Sequence, residues 1–297
     1  MKKIMILLIA ALAMSIAGIP AHAASDWQEL DVQFYRGNGF KQYSNAIDNT
    51  TGNPTGGSST LNVFQLNYSN GWKYGATYFY FQNAFDNGDY RMYTQGWEFL
   101  SLNKIFNRNL SFGPVKELRI APGWQFSTSK DYYAGTQNQG AAADMGAKVV
   151  YPAADTKDLF LGLDFFLDIP GFDFAGITAG IYQDFQKKTK FVAQPSVNFY
   201  YRSHFYLGAT RWKAEGYAQW YAARRSRVDA NLDAVSYFTM QHALLLDTGL
   251  LLWDRPDQFY TGLQLQWSHN TYGVKTIPGV SKATNEFFPQ ILFEWVF

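Results

Sequence analysis

The chain contains no cysteine in 297 residues, which removes disulfide frameworks and thiolate metal sites at once. Charge is also sparse and balanced, with 16% charged residues and a net charge of +1, so nothing favours a nucleic-acid partner. Beyond the N-terminus there is no uninterrupted run of the roughly 18 apolar residues that a membrane-spanning helix requires. The nearest, from Ala243 to Trp253, is broken by Asp247. Lipid admits only helices and closed barrels as spanning structures, so a barrel or a soluble periplasmic protein remains.

What the chain has in quantity is aromatic side chains, 18% of the total, with 25 Phe, 20 Tyr and 9 Trp. A mean hydropathy of -0.23 accompanies them. That pairing fits a molecule with one surface in lipid and another in water. The first residues supply a compartment: Lys2 and Lys3 form a positive region, Ile4 to Ile19 a mostly apolar one, and Ala21-His22-Ala23 a small-residue cleavage site. This is the form of a secretory signal peptide, expected over residues 1–23, with a barrel over 24–297.

Strand periodicity carries the fold. At the C-terminus Phe287, Ile291, Phe293, Trp295 and Phe297 alternate with Phe288, Gln290, Glu294 and Val296. Leu159, Leu161, Leu163, Phe165 and Leu167 alternate with Phe160, Gly162, Asp164, Phe166 and Asp168, and similar patterns occur at 117–126 and 259–268. Apolar-out, polar-in alternation is the transmembrane strand signature, and a terminal Phe resembles the signal read by the barrel assembly machinery. The reading is therefore an all-β, up-and-down antiparallel outer-membrane barrel.

Single-chain barrels have even strand numbers. Demoting the Ala-rich stretch 142–151 into an outer loop over 127–156 leaves about twelve strands. They are expected near 29–36, 60–68, 72–82, 91–102, 114–127, 157–168, 173–185, 191–201, 205–222, 236–253, 258–269 and 286–297. Short periplasmic turns are expected at Ser69-Asn70-Gly71, Pro170-Gly171, Arg202-Ser203 and Asp254–Asp257. Longer outer loops are expected at 37–59, 83–90, 223–235 and 270–285.

A barrel of this size encloses more than the filled interior of eight strands and less than the open channel of sixteen. The expected inner faces mix carboxylates (Asp31, Glu98, Glu117, Asp164, Asp168, Glu294), bases (Lys73, Arg119), amides (Gln33, Gln125, Gln264, Gln266) and aromatics (Tyr35, Phe160, Phe166, Tyr260). No sign dominates, which argues against strong ion selectivity. The aromatics offer flat faces for a nucleobase or sugar ring, or they simply fill a narrow lumen.

The stretch 101–117, and within it Asn109-Leu110-Ser111-Phe112-Gly113-Pro114-Val115-Lys116-Glu117, resembles the strand-turn-strand signature of the Tsx-like family of nucleoside-specific outer-membrane channels. Leu161-Gly162-Leu163 through Tyr182 resembles the following hairpin more loosely. The resemblance implies a narrow twelve-stranded barrel passing nucleosides by diffusion without cofactor or catalysis. Of the motif's charged positions only Lys116 and Glu117 carry over, and the substrate-contacting candidates come from the inner-face pattern: Phe160, Asp164, Phe166, Glu117, Arg119, Tyr260, Gln264 and Glu294. Expected partners are small solutes, outer-membrane lipid and lipopolysaccharide, the last near Arg224, Arg225 and Arg227.

Two rivals stand beside the channel. A lipid-modifying barrel enzyme needs a Ser, a His and an acid converging at the rim, and Ser268-His269-Asn270 holds the residue types but places neighbours on opposite faces. His204 and His242 read as structural. A plugged or adhesive barrel would work through its loops, with Tyr132 and Tyr133 in the long one.

Overall fold

The computed structural model describes residues 25–41, 58–86, 89–129, 157–185, 191–225, 227, 233–270 and 285–297. The expected signal peptide and the interior of the loop after residue 129, with Tyr132 and Tyr133, lie outside them. Twelve strands follow in chain order: β1 (Ser25–Lys41), β2 (Ser58–Trp72), β3 (Gly75–Asp86), β4 (Asp89–Ser101), β5 (Val115–Ser129) and β6 (Lys157–Leu167), then β7 (Phe174–Asp184), β8 (Gln194–Leu207), β9 (Thr210–Tyr221), β10 (Tyr237–Asp247), β11 (Phe259–His269) and β12 (Glu286–Val296). Two short helices, α1 (Leu102–Phe106) and α2 (Thr248–Trp253), interrupt them.

Each strand pairs antiparallel with its neighbours in sequence, and β1 closes onto β12 in the register Asp31↔Val296 through Gly37↔Gln290. Closure satisfies every edge, which lipid demands. The last residue is tied in as well, since the Phe297 amide donates to the Leu30 carbonyl at 2.9 Å. The start of β1 and the end of β12 therefore lie at the rim that carries the short turns, the periplasmic rim in barrels of this kind.

Those turns obey local chemistry. Pro170-Gly171 forms the expected turn: Phe172 N donates to Ile169 O at 3.1 Å, with Gly171 at φ 87 in the left-handed region that a type II turn needs. The β8–β9 hairpin turns at Gly208-Ala209, with Gly208 at φ 61, and not at Arg202-Ser203. Likewise β2 continues through Ser69-Asn70-Gly71 and turns at Lys73-Tyr74. The β3–β4 hairpin is far tighter than the loop expected over 83–90, because pairing runs to Asp86↔Asp89.

Neither helix was expected. Ser101 caps α1 by accepting from the Lys104 amide at 3.3 Å, and Asp247 caps α2 by accepting from Leu250 N at 2.9 Å. The segment read as one long strand from 236 to 253 is thus strand to Asp247 and helix beyond it. Ile105, Phe106, Leu251, Leu252 and Trp253 stand exposed at this rim, where an aromatic and apolar girdle meets headgroups.

Alternation sorts the walls as barrel physics requires. Phe34, Phe64, Leu159, Leu161, Leu163, Ile181, Leu244, Leu263, Ile291, Phe293 and Trp295 all face outward and exposed, Leu161 to 63%. The opposite parity is buried, as in the regular alternation of β12. A closed barrel with an apolar exterior and a polar-bearing interior is an outer-membrane barrel. The interior also holds aliphatic residues beyond the polar and aromatic lining expected: Leu61, Val63, Leu245 and Leu292 join Tyr35 and Phe288 in an apolar arc.

Candidate functional site

The bore is built from the inward parity of every strand, and three groups of side chains meet in it. The first is a band of aromatic and amide groups. Tyr182 accepts from Gln95 Nε2 at 2.9 Å and from Gln219 Nε2 at 3.4 Å, while Gln95 Oε1 accepts from Tyr80 at 3.0 Å and Tyr93 at 2.8 Å. Rings flank this network: Phe160 lies 4.7 Å from Tyr182, Tyr221 lies 5.6 Å from it, and Tyr237 stacks on Tyr221 at 4.3 Å. Trp97 stacks with Tyr78 at 6.0 Å on the β3–β4 side. Space for the Phe160 ring comes from Gly162 and Gly180, where a Cβ would meet its Cζ at 2.6 Å.

The second group is a brace between β5, β6 and β8. Arg119 Nε donates to Asp164 Oδ2 at 2.7 Å, and Asp164 Oδ1 accepts from Thr178 at 2.7 Å and Tyr200 at 3.0 Å. Arg119 Nη2 donates to Tyr200 Oη at 2.6 Å, and the guanidinium lies between the rings of Phe99 and Phe166, at 4.8 and 4.3 Å. Asp164 is saturated by these partners. This is how a buried charge becomes tolerable, and it marks the cluster as a rigid wall.

The third group crosses the bore. Arg202 on β8 donates to Glu29 on β1 at 2.7 and 3.0 Å and to Glu215 on β9 at 3.1 Å. Lys213 pairs with Glu215 at 3.4 Å and with Glu294, and sits 4.4 Å above the Tyr260 ring. Asn67 donates to Asp31 at 2.6 Å in the same layer. Lys213 and Glu294 have side-chain exposures of 2% and 0%, so the bore is narrow here.

Beneath this layer, at the periplasmic mouth, His204 bonds Asp173 at 2.6 Å and Tyr260 at 3.1 Å. Asp257 receives Tyr260 Oη at 2.5 Å and pairs with Arg211 at 2.6 Å. Burial pushes the Asp257 carboxyl up, but the bonds from Arg211 and Tyr260 and the nearby positive charge outweigh it and hold it below the ordinary range. At the outer mouth Arg224 is buried over Phe191 at 4.1 Å and 3.5 Å from Asp158, not displayed to headgroups as expected. Arg225 and Arg227 remain exposed.

All eight sequence-derived candidates lie on the inner face, but they do not converge. Phe160 belongs to the aromatic band, and Arg119, Asp164 and Phe166 to the brace. Tyr260 and Glu294 border the crossing layer, Gln264 donates to Gln290 at 2.6 Å, and Glu117 stands half-buried beside Phe166. Three other expected lining residues are elsewhere. Lys73 and Asp168 are exposed in turns, and Glu98 has the parity opposite to Gln95 and Trp97, so it faces outward and accepts from Thr77 at 2.7 Å. Tyr182, Tyr221, Tyr237, Arg202, Lys213 and Glu215 were missed, although the parity of their strands carries the signal that finds them.

Ser268 points inward to Thr239 at 3.0 Å while His269 lies exposed against Trp267, so the two do not share a proton. His242 faces outward, bonded to Tyr201 at 3.1 Å. Among the described residues no group of three or more His, Asp or Glu is placed to hold a metal ion.

No protein-family model matches the chain, and no curated protein matches it. Among solved structures it is similar to a KdgM porin, at 7% identity and TM-score 0.40 over 90% of this chain and 99% of that one. It is similar also to an outer membrane channel from Pseudomonas putida F1, at 8% identity and TM-score 0.43 over 94% and 100%. A third is the translocator domain of autotransporter NalP from Neisseria meningitidis, at 6% identity and TM-score 0.40 over 98% and 95%. The closed sheet, its apolar exterior and its polar-bearing interior make the chain an outer-membrane β-barrel.

Proposed function

We propose that this barrel is a channel for small hydrophilic solutes and that nucleosides are its substrates. The observation that supports this reading is the aromatic and amide band around Tyr182, where Phe160, Tyr221 and Tyr237 present ring faces beside Gln95 and Gln219. A flat nucleobase stacks on such rings for roughly 1–3 kcal/mol each, and the amides match ribose hydroxyls. The resemblance of residues 101–117 to the Tsx-like signature points the same way. Passage is diffusive and needs no cofactor.

Uptake of labelled adenosine into vesicles holding the refolded barrel tests this. The expected outcome is uptake that saturates with adenosine and is competed by thymidine but not by ribose. Combined Phe160→Ala and Tyr182→Ala lowers the apparent affinity about tenfold or more, as the loss of stacking requires. Uptake that ignores both the variant and the competitor removes the nucleoside assignment.

A closed barrel acting through its loops is the second reading, favoured by the Arg202–Glu29 bridge across the bore. Vesicles that admit no solute at all would establish it.

A further inference from the structure

The segment that resembles the Tsx-like signature lies at the periplasmic rim, with residues 102–114 between β4 and β5 rather than in a strand. It folds into a compact knuckle against the neighbouring hairpin. The Ser101 amide donates to the Tyr74 carbonyl at 2.8 Å, Asn103 Oδ1 accepts from Leu118 N at 3.2 Å, and Ser111 Oγ donates to the Lys116 carbonyl at 2.8 Å. These bonds gather four cations on one sector of the rim: Lys73 in the β2–β3 turn, Lys104 and Arg108 in and after α1, and Lys116 at the bulge that opens β5. All four are exposed, and none forms an ion pair among the described residues. Within the sector Glu98 accepts from Thr77 at 2.7 Å and Glu117 is turned into the bore; exposed acids, Asp26 on β1 and Asp168 just past β6, stand at its two edges. Between the cations lie the exposed apolar and aromatic side chains of Tyr74, Ile105, Phe106 and Phe112, with Trp72 edge-on to Tyr74 at 6.4 Å. The second rim helix supplies the contrast. Helix α2 presents Leu251, Leu252 and Trp253 but has no basic residue in its last turn, and Arg255 beyond it is matched by the adjacent Asp254.

We propose that the α1 sector is a docking surface for anionic phospholipid in the leaflet that meets this rim. Position names the occupant as lipid, since the sector continues the outward faces of β2 to β5, and charge names its headgroup as anionic rather than zwitterionic. The apolar side chains enter the acyl boundary while the ammonium and guanidinium groups reach the phosphates, as interfacial anchoring requires. A single cation close to an anionic headgroup layer favours it about fivefold. Nucleoside passage neither requires this surface nor follows from it.

Because the chain has no cysteine, a single introduced one places a fluorophore at a chosen rim position. Barrels carrying Ile105→Cys or Leu252→Cys, labelled and refolded into phosphatidylcholine bilayers, are titrated with brominated phosphatidylglycerol or brominated phosphatidylcholine. At position 105 the anionic lipid is expected to quench at an about fivefold lower mole fraction than the zwitterionic one, while at position 252 the two quench alike. Adding Lys104→Gln with Arg108→Gln is expected to abolish the preference, and Lys104→Arg with Arg108→Lys to retain it. Equal quenching by both lipids at position 105, or the same preference at both positions, overturns the site without any charge variant having to fold. Loss of the preference when inorganic phosphate is added at constant ionic strength assigns the patch to a soluble anion and overturns it as well.

Discussion

Lys213 is an ammonium almost wholly removed from water, held by Glu215 and Glu294. Its replacement leaves Glu294 in the interior without a cation and Glu215 with Arg202 alone. Lys213→Met is expected to cost about 3–5 kcal/mol, read as a lower urea midpoint of the refolded barrel, and adding Glu294→Gln is expected to restore part of that loss. A variant as stable as the parent would mean that water already reaches the layer. Asp257 makes a pH-dependent contribution of known sign. Its carboxyl is held below the ordinary range in the fold. It therefore stabilises the barrel fully above about pH 4, where the unfolded group is ionised, and progressively less as the pH falls through the lowered value. Melting curves of Asp257→Asn and the parent are expected to differ at neutral pH and to converge in acid. Legibility at this scale followed contrast between faces. In β6, aliphatic outward residues set against Asp164 and Phe160 made the inner face plain. In β3 and β4 both faces are aromatic, as in Tyr78-Phe79-Tyr80-Phe81, and Glu98 was assigned inward for want of contrast. Partners across the bore, such as Arg202 and Glu29, are 173 positions apart and leave no trace in a local pattern.

A strand announces itself by period two, and all twelve were found with boundaries off by up to six residues, as at the ends of β8 and β10. The turns were read less well because composition marks several places at which a chain is able to turn. Ser69-Asn70-Gly71 has turn chemistry, yet continued pairing of β2 with β1 and β3 holds it extended. Helices α1 and α2 are five and six residues long, too short for a helical period to show, and their N-caps are Ser101 and Asp247. The outward face of each strand can be tested directly. Leu161 lies mid-strand between Pro122 and Ile181 with its side chain in lipid. Leu161→Arg is expected to destabilise the folded barrel by about 2–4 kcal/mol in lipid-refolding titrations. A cost near zero would place this position outside the hydrocarbon.

At the scale of the molecule, twelve strands in meander order leave no edge, and closure between β1 and β12 brings the aromatic terminal strand against the first. Strand number and antiparallel order were legible because absence of a spanning helix, alternation and the even-number rule converge. The degree to which the bore is filled was not, since strand number sets the enclosed volume but not which side chains occupy it. An apolar arc from Tyr35 to Leu292 and an ionic layer bridged by Arg202 make this passage narrower than twelve strands alone imply. Single-channel current through the refolded barrel in a planar bilayer, with adenosine, thymidine, ribose and a fatty acid titrated in turn, addresses the function at its root. The expected record is a small conductance that adenosine and thymidine block saturably while ribose and the fatty acid do not. A current indifferent to both nucleosides, or no current at any voltage, would contradict it.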